Sequence, residues 1–104
     1  MVIRKLTLIV VGDTFAVCRL EPDIPIPPWA TKGRFISITR TADEISVVCH
    51  QDNVPNGIPA ERGWRCLRVS GTISFSVVGI LESLIAPLAE ARISVFAIST
   101  TVEE

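Results

Sequence analysis

The residues best equipped for chemistry are few and scattered. Cys18, Cys49 and Cys66 stand in strand-like settings (AVCRL, SVVCH, WRCLR) with no C-x-x-C spacing, and His50 is the single histidine. A zinc site draws on ligands paired a few residues apart. With the long separations found here, the thiols are expected to be buried, reduced and inert, acting as small hydrophobes. Cys49 and His50 are sequence neighbours. Consecutive side chains of a strand point to opposite faces, so they do not form a thiolate–imidazole pair. Arg40, Asp43 and Glu44 read as a surface ion-pair cluster holding a turn, since no base or nucleophile accompanies the two carboxylates. No catalytic residue, metal or cofactor is expected, and the chain does not read as an enzyme.

One stretch can still bind. Between Gly71 and Gly79 a strand end, a Gly-containing turn and a helix start converge. The turn has neither the G-x-G-x-x-G of a dinucleotide site nor the GK[ST] of a P-loop. Ser76 is placed to cap a helix, which leaves the N–H groups of Val77, Val78 and Gly79 in the first turn without internal partners. Such an end attracts a carboxylate or phosphate, and Gly79 lets backbone approach closely. The same residues also make an ordinary capped helix packed on a sheet, and spacing alone favours that plainer role.

The elements that would hold this turn can be read in order. Lys5 to Val11 and Phe15 to Leu20 are two β-rich runs around Gly12-Asp13-Thr14, the pattern of a tight hairpin. Glu21 to Ala30 carries four of the seven prolines and is expected to cross the surface in extended form, with Trp29 packing down as an anchor. Phe35 to Arg40 alternates as a strand. Thr41-Ala42-Asp43-Glu44 has capping-box spacing, predicting one helical turn before the β-branched Ile45 to Cys49. Gln51 to Gly63 is a polar loop, the best internal boundary between a strand-rich half (1–50) and a β-α-β unit (64–101). Trp64 to Ser70 alternates as a half-buried strand. From Val77 the apolar spacing is helical, with Pro87 expected to kink the helix or split it. Ile93 to Thr100 returns as a buried strand, parallel to the first strand of the unit.

Composition sets the frame. A chain of 104 residues, 48% apolar with no tyrosine, fits one strand-rich α/β domain with its own core. A net charge of −1 speaks against nucleic acid. No stretch reaches transmembrane length. The basic start and apolar run of MVIRKLTLIVVG, with Phe15-Ala16-Val17-Cys18 after it, fall short of a signal peptide. Cytoplasm is the expected location, with no membrane partner.

The segments FISITRTADEISVVC and RCLRVSGTISFSVVGILESLIAPLAEARISVFAIST, with the opening hairpin and its Pro-Trp loop, resemble small bacterial ACT-domain proteins, which are similar to the domains of CASTOR-type arginine sensors. The resemblance covers nearly the whole chain and implies an α+β, ferredoxin-like fold. That fold has a mixed β-sheet and one main helix, kinked near Pro87, on one face. It also implies a regulatory module that binds a small ligand, an amino acid by preference, between paired units. The ligand contacts it implies are Gly71, Ser76, Val77, Val78 and Gly79, with Ser99, Thr100 and Thr101 facing the same interface. Relatives continue with a further strand and helix beyond the point where this sequence ends. Closure of the core by the N-terminal strands, by a second copy, or by residues beyond Glu104 are the three arrangements open. An uncovered edge strand predicts at least a homodimer. The competing expectation is a structural oligomerisation module without a ligand.

Overall fold

A computed structural model of the protein describes residues 7–70 and 77–98. The chain forms two compact units that divide between Gly71 and Thr72, and the loop after residue 50 lies inside the first.

The first unit is a four-stranded antiparallel sheet in the order β2-β3-β1-β4. Its strands are β1 (Thr7–Leu20), β2 (Ser37–Arg40), β3 (Ile45–His50) and β4 (Ala60–Ser70). The ferredoxin-like α+β class holds, while the sheet is antiparallel throughout the described residues instead of mixed. The expected hairpin at Gly12-Asp13-Thr14 does not form: β1 runs unbroken through it. Its first half pairs with β4 (Leu8 opposite Val69, Val10 opposite Leu67) and not with its own second half. The surplus residues of the expected turn are absorbed as an irregularity between Val10 and Thr14.

The core lies on one face of this sheet. Ala16 and Cys18 of β1 stand opposite Cys49 and Val47 of β3, and Ile45, Val47, Cys18 and Cys49 are its largest fully buried side chains. The proline-rich segment covers it. A 3-10 turn at Pro28–Thr31 presents the buried Ala30, and Trp29 packs beside it as an anchor. Val54 and Ile58 of the β3–β4 connection and Ala60 at the start of β4 complete the cluster.

A second bulge decides what reaches that core. Phe15 is opposite Trp64, yet Val17 is opposite Glu61 and Cys18 opposite Ala60, so β4 carries one extra residue at Arg62-Gly63. Without it the register of the Phe15–Trp64 pair would bring Glu61, a carboxylate, opposite the buried Cys18. Gly63 takes φ +83, a left-handed conformation in which a side chain is strained although no atom lies within 4 Å of a Cβ there. The extra residues are used: the Arg62 guanidinium donates to the carbonyls of Gln51 (2.6 Å) and Val54 (3.3 Å), and the Gly63 N–H donates to Gln51 Oε1 at 3.1 Å.

The link from β2 to β3 is a tight turn and not the helical turn expected. The Thr41 hydroxyl accepts from the N–H groups of Asp43 (3.1 Å) and Glu44 (3.2 Å), as in the first half of a capping box. The Thr41 N–H, however, donates to the Glu44 carbonyl at 2.8 Å and closes a hairpin. The β-branched run that follows is already paired with β1 and β2, so helix has no claim on it. The expected ion-pair cluster also divides. Arg40 donates to the carbonyls of Pro22 (2.7 Å) and Ile24 (2.9 Å), fixing the proline segment that lacks N–H groups of its own. Glu44 instead meets Arg19 at 3.0 Å.

The second unit holds α1 (Val77–Glu90), which continues through Pro87 without splitting. Its end is closed by the Ile93 N–H to the Leu88 carbonyl (2.9 Å) and the Arg92 N–H to that of Ala89 (3.0 Å), with Arg92 at φ 60. This is a Schellman stop on a residue other than glycine. The expected return strand is absent from the described residues: 93–98 take no strand pairing. No helix among the described residues is long and apolar enough to cross a membrane.

Gly63→Ala is expected to lower stability by about 1–2 kcal/mol, the cost of a left-handed non-glycine residue. Gly12→Ala, at a position with no such φ and open space for a Cβ, is expected to leave the unfolding free energy from urea titration within about 0.5 kcal/mol of the parent; a turn at Gly12 would reverse that contrast.

Burial raises the Cys18 and Cys49 thiols above the ordinary thiol range, with the neighbouring Cys49 adding to the effect at Cys18 and Arg62 opposing it at both. Their protonated form is favoured in the folded state. Stability from this source is therefore complete below the ordinary thiol pKa and falls as the pH rises through it, because the unfolded chain loses its protons first. Aromatic-disulfide titration at pH 8 is expected to label the half-buried Cys66 in the native protein and to reach Cys18 and Cys49 only on unfolding. Native labelling of either buried thiol ahead of Cys66 would contradict this packing.

Candidate functional site

Two places could hold a ligand, one in each unit. In the second unit, Val77, Val78 and Gly79 form the backbone of the first turn of α1, as expected. Their N–H groups belong to the set that a helix leaves without internal acceptors. No acidic residue stands in that turn, so an incoming anion meets no fixed negative charge there. Gly71, Ser76, Ser99, Thr100 and Thr101 lie outside the described residues.

In the first unit a groove of about 290 Å³ opens at one end of the sheet. Its walls come from three places in the sequence: Asp13 and Phe15 of β1, Lys32 to Phe35 ahead of β2, and His50, Asp52 and Asn53 at the end of β3. Antiparallel register assembles them. Phe15 is directly opposite His50, so both project from the same face, the one opposite Ala16, Cys18 and Cys49. Phe15 is buried and meets Phe35 edge to face, with ring centroids 5.8 Å apart, giving the groove an apolar base. The Asn53 side-chain amide donates to the Lys32 carbonyl at 3.0 Å and joins the two loops that form its rim. Gly33 takes φ +116, a backbone conformation that disfavours any side chain.

His50 sits between acids. Its Nδ1 accepts from the Asp52 N–H at 3.1 Å, which places the proton of the neutral ring on Nε2. Nε2 lies 3.8 Å from Asp13 Oδ1, beyond a direct hydrogen bond. Cys49, by contrast, is fully buried on the other face, so the two neighbours serve different sides of β3. Among the described residues no group of three His, Cys, Asp or Glu side chains could hold a metal ion. Sequence spacing gave no signal for the groove, because its residues are distant in the chain and converge only through the β3–β1 register and the Asn53–Lys32 link.

The comparisons agree with this architecture. Residues 13–57 match a family described as an N-terminal domain, and residues 59–103 match the ACT domain. The crystal structure of protein Atu0741 from Agobacterium tumefaciens is similar, with 37% identity and a TM-score of 0.86 over 94% of this chain and 73% of that one. No curated protein matches the chain. A sheet and helix of this kind, shared with a solved relative over nearly the whole length and carrying the ACT match across the second half, establish that the chain belongs to the ACT-domain family.

Proposed function

We propose that this ACT domain binds an amino acid at the start of α1 and acts by changing how its subunits associate. ACT domains are in general small-ligand regulatory domains and not catalysts. The observation that carries the finer reading is the first turn of α1, where the N–H groups of Val77 to Gly79 belong to the set that a helix leaves without internal acceptors and no acidic residue stands in the turn. The ligand carboxylate is received there, with the Ser76 hydroxyl assisting and Gly71 giving the turn room. Ser99, Thr100 and Thr101 of a neighbouring copy hold the amino end, in a homodimer or higher homo-oligomer. Binding favours the association state that offers both halves of the site, and the shift is limited by the difference in affinity between states. Free thiols and the absence of a disulfide among the described residues suit a reducing, cytoplasmic setting.

Isothermal titration against each of the twenty amino acids, paired with sedimentation velocity, is expected to give saturable heat with at least one and a change in association state with the same one. Ser76→Ala is expected to weaken that binding by about 2- to 10-fold, the net worth of one hydrogen bond. A folded protein that gives no heat with any amino acid and keeps one oligomeric state throughout would make this a purely structural oligomerisation module.

A further inference from the structure

We infer that the groove at the end of the sheet in the first unit is a second small-molecule site, taking an α-amino acid by its vicinal ammonium and carboxylate. It stands on residues entirely separate from the start of α1, so either site can exist without the other.

The inference rests on how strand order distributes charge over an aromatic base. Across the sheet, β3 lies between β2 and β1. The groove therefore has Lys32 and Arg34 on its β2 side, Asp13 on its β1 side and His50 between them, with the exposed Asp52 carboxylate 3.8 Å from His50 Nδ1, on the ring nitrogen away from Asp13. Neither the Lys32 nor the Arg34 side chain makes a hydrogen bond or ion pair with the described residues, so both cations remain available to an anion. His50 has its Nδ1 already engaged by the Asp52 N–H. That leaves Nε2–H as a donor beside the Asp13 carboxylate, an acceptor 3.8 Å away.

A donor and an acceptor at that separation are too far apart to satisfy each other, and close enough for one small molecule to engage both. A group pair on adjacent carbons matches them: a carboxylate accepts from Nε2–H while the neighbouring ammonium donates to Asp13. Arg34 and Lys32 lie on the side from which they can add charge-assisted contacts to the same carboxylate. The Phe15–Phe35 edge offers apolar contact to the ligand's side chain. The rim is held in place before binding by the Asn53–Lys32 hydrogen bond of 3.0 Å, which limits the ordering cost of binding. At about 290 Å³ the groove is at the small end of ligand sites and open to solvent, so weak, selective binding is its natural range.

The test uses the full chain, labelled with 15N, and each of the twenty amino acids titrated singly to about 10 mM. The expected result is saturable amide shifts concentrated at 13, 32–35 and 50–53 with at least one of them. The α-hydroxy acid and the decarboxylated amine of that ligand are expected to bind at least tenfold more weakly, since each lacks one of the two groups. Asp13→Asn and Arg34→Ala replace exposed side chains, and each is expected to weaken binding fivefold or more with the remaining spectrum unchanged. Shifts confined to 77–79 and insensitive to Asp13→Asn would overturn the groove while leaving the helix-start reading intact. Shifts at the groove alone would do the reverse. A spectrum unmoved around 13, 32–35 and 50–53 by every amino acid would overturn the inference outright.

Discussion

The structure depends on β1 being bonded along both edges. A strand of 14 residues has more backbone groups than one short partner can satisfy, and β1 meets this by taking β3 along its second half and β4 along most of its length. Buried backbone N–H and C=O groups without partners are costly. This double pairing therefore fixes the strand order and, with it, which residues share a face. The core on one side and the groove on the other both follow from the β1–β3 register. The same pairs that bury Cys18 against Val47 put Phe15 beside His50.

Register alone would also have been the fold's weakness. A one-residue slip exchanges the two faces of a strand, and β4 alternates in a way that would present Glu61 to the core if it ran regularly. The bulge at Arg62-Gly63 corrects the phase within a single step. Its local cost is offset by bonds that a regular strand would not make, from Arg62 to the carbonyls of Gln51 and Val54 and from Gly63 to the Gln51 side chain. The proline segment is handled the same way. Poor in donors of its own, it is tied down by Arg40 through the carbonyls of Pro22 and Ile24. In both places an arginine fork bridges irregular backbone, a task for which its planar array of donors is suited.

Much of this was legible in the residues, and the failures have physical causes. The strand at Ile45 to Cys49, most of the one that runs to Ser70, the helix from Val77 and the packing of Trp29 were carried by period and composition, which report burial directly, although β4 begins at Ala60, inside the segment that reads as a loop. The turn at Gly12 was misread because a local rule cannot see that β4 competes for the same backbone bonds and that a bulge can absorb the surplus. Thr41 to Glu44 misled for a subtler reason. The hydroxyl makes the cap contacts that its spacing predicts, and those contacts serve a hairpin turn as well as a helix. The stop of α1 at Arg92 carried no glycine to announce it, so nothing in the sequence marked off 93–98 from a strand.

The two candidate sites were unequally visible for a related reason. A helix start is local, so Val77, Val78 and Gly79 could be named from a few adjacent residues. The groove is a product of topology: Asp13, Arg34 and His50 are far apart in sequence and acquire a common purpose only when β2, β3 and β1 lie side by side. Charges placed this way do little for the fold. Exposed Lys32 and Arg34 make no ion pair with the described residues, and His50 lies beyond hydrogen-bond distance of the Asp13 carboxylate. Surface ion pairs contribute little stability even when formed. Unlike Arg40 and Arg62, whose guanidinium groups are spent on the backbone, Lys32 and Arg34 stand beside an aromatic pair without a side-chain bond to the described residues. That contrast within one small sheet separates side chains that build the molecule from side chains available to what it binds.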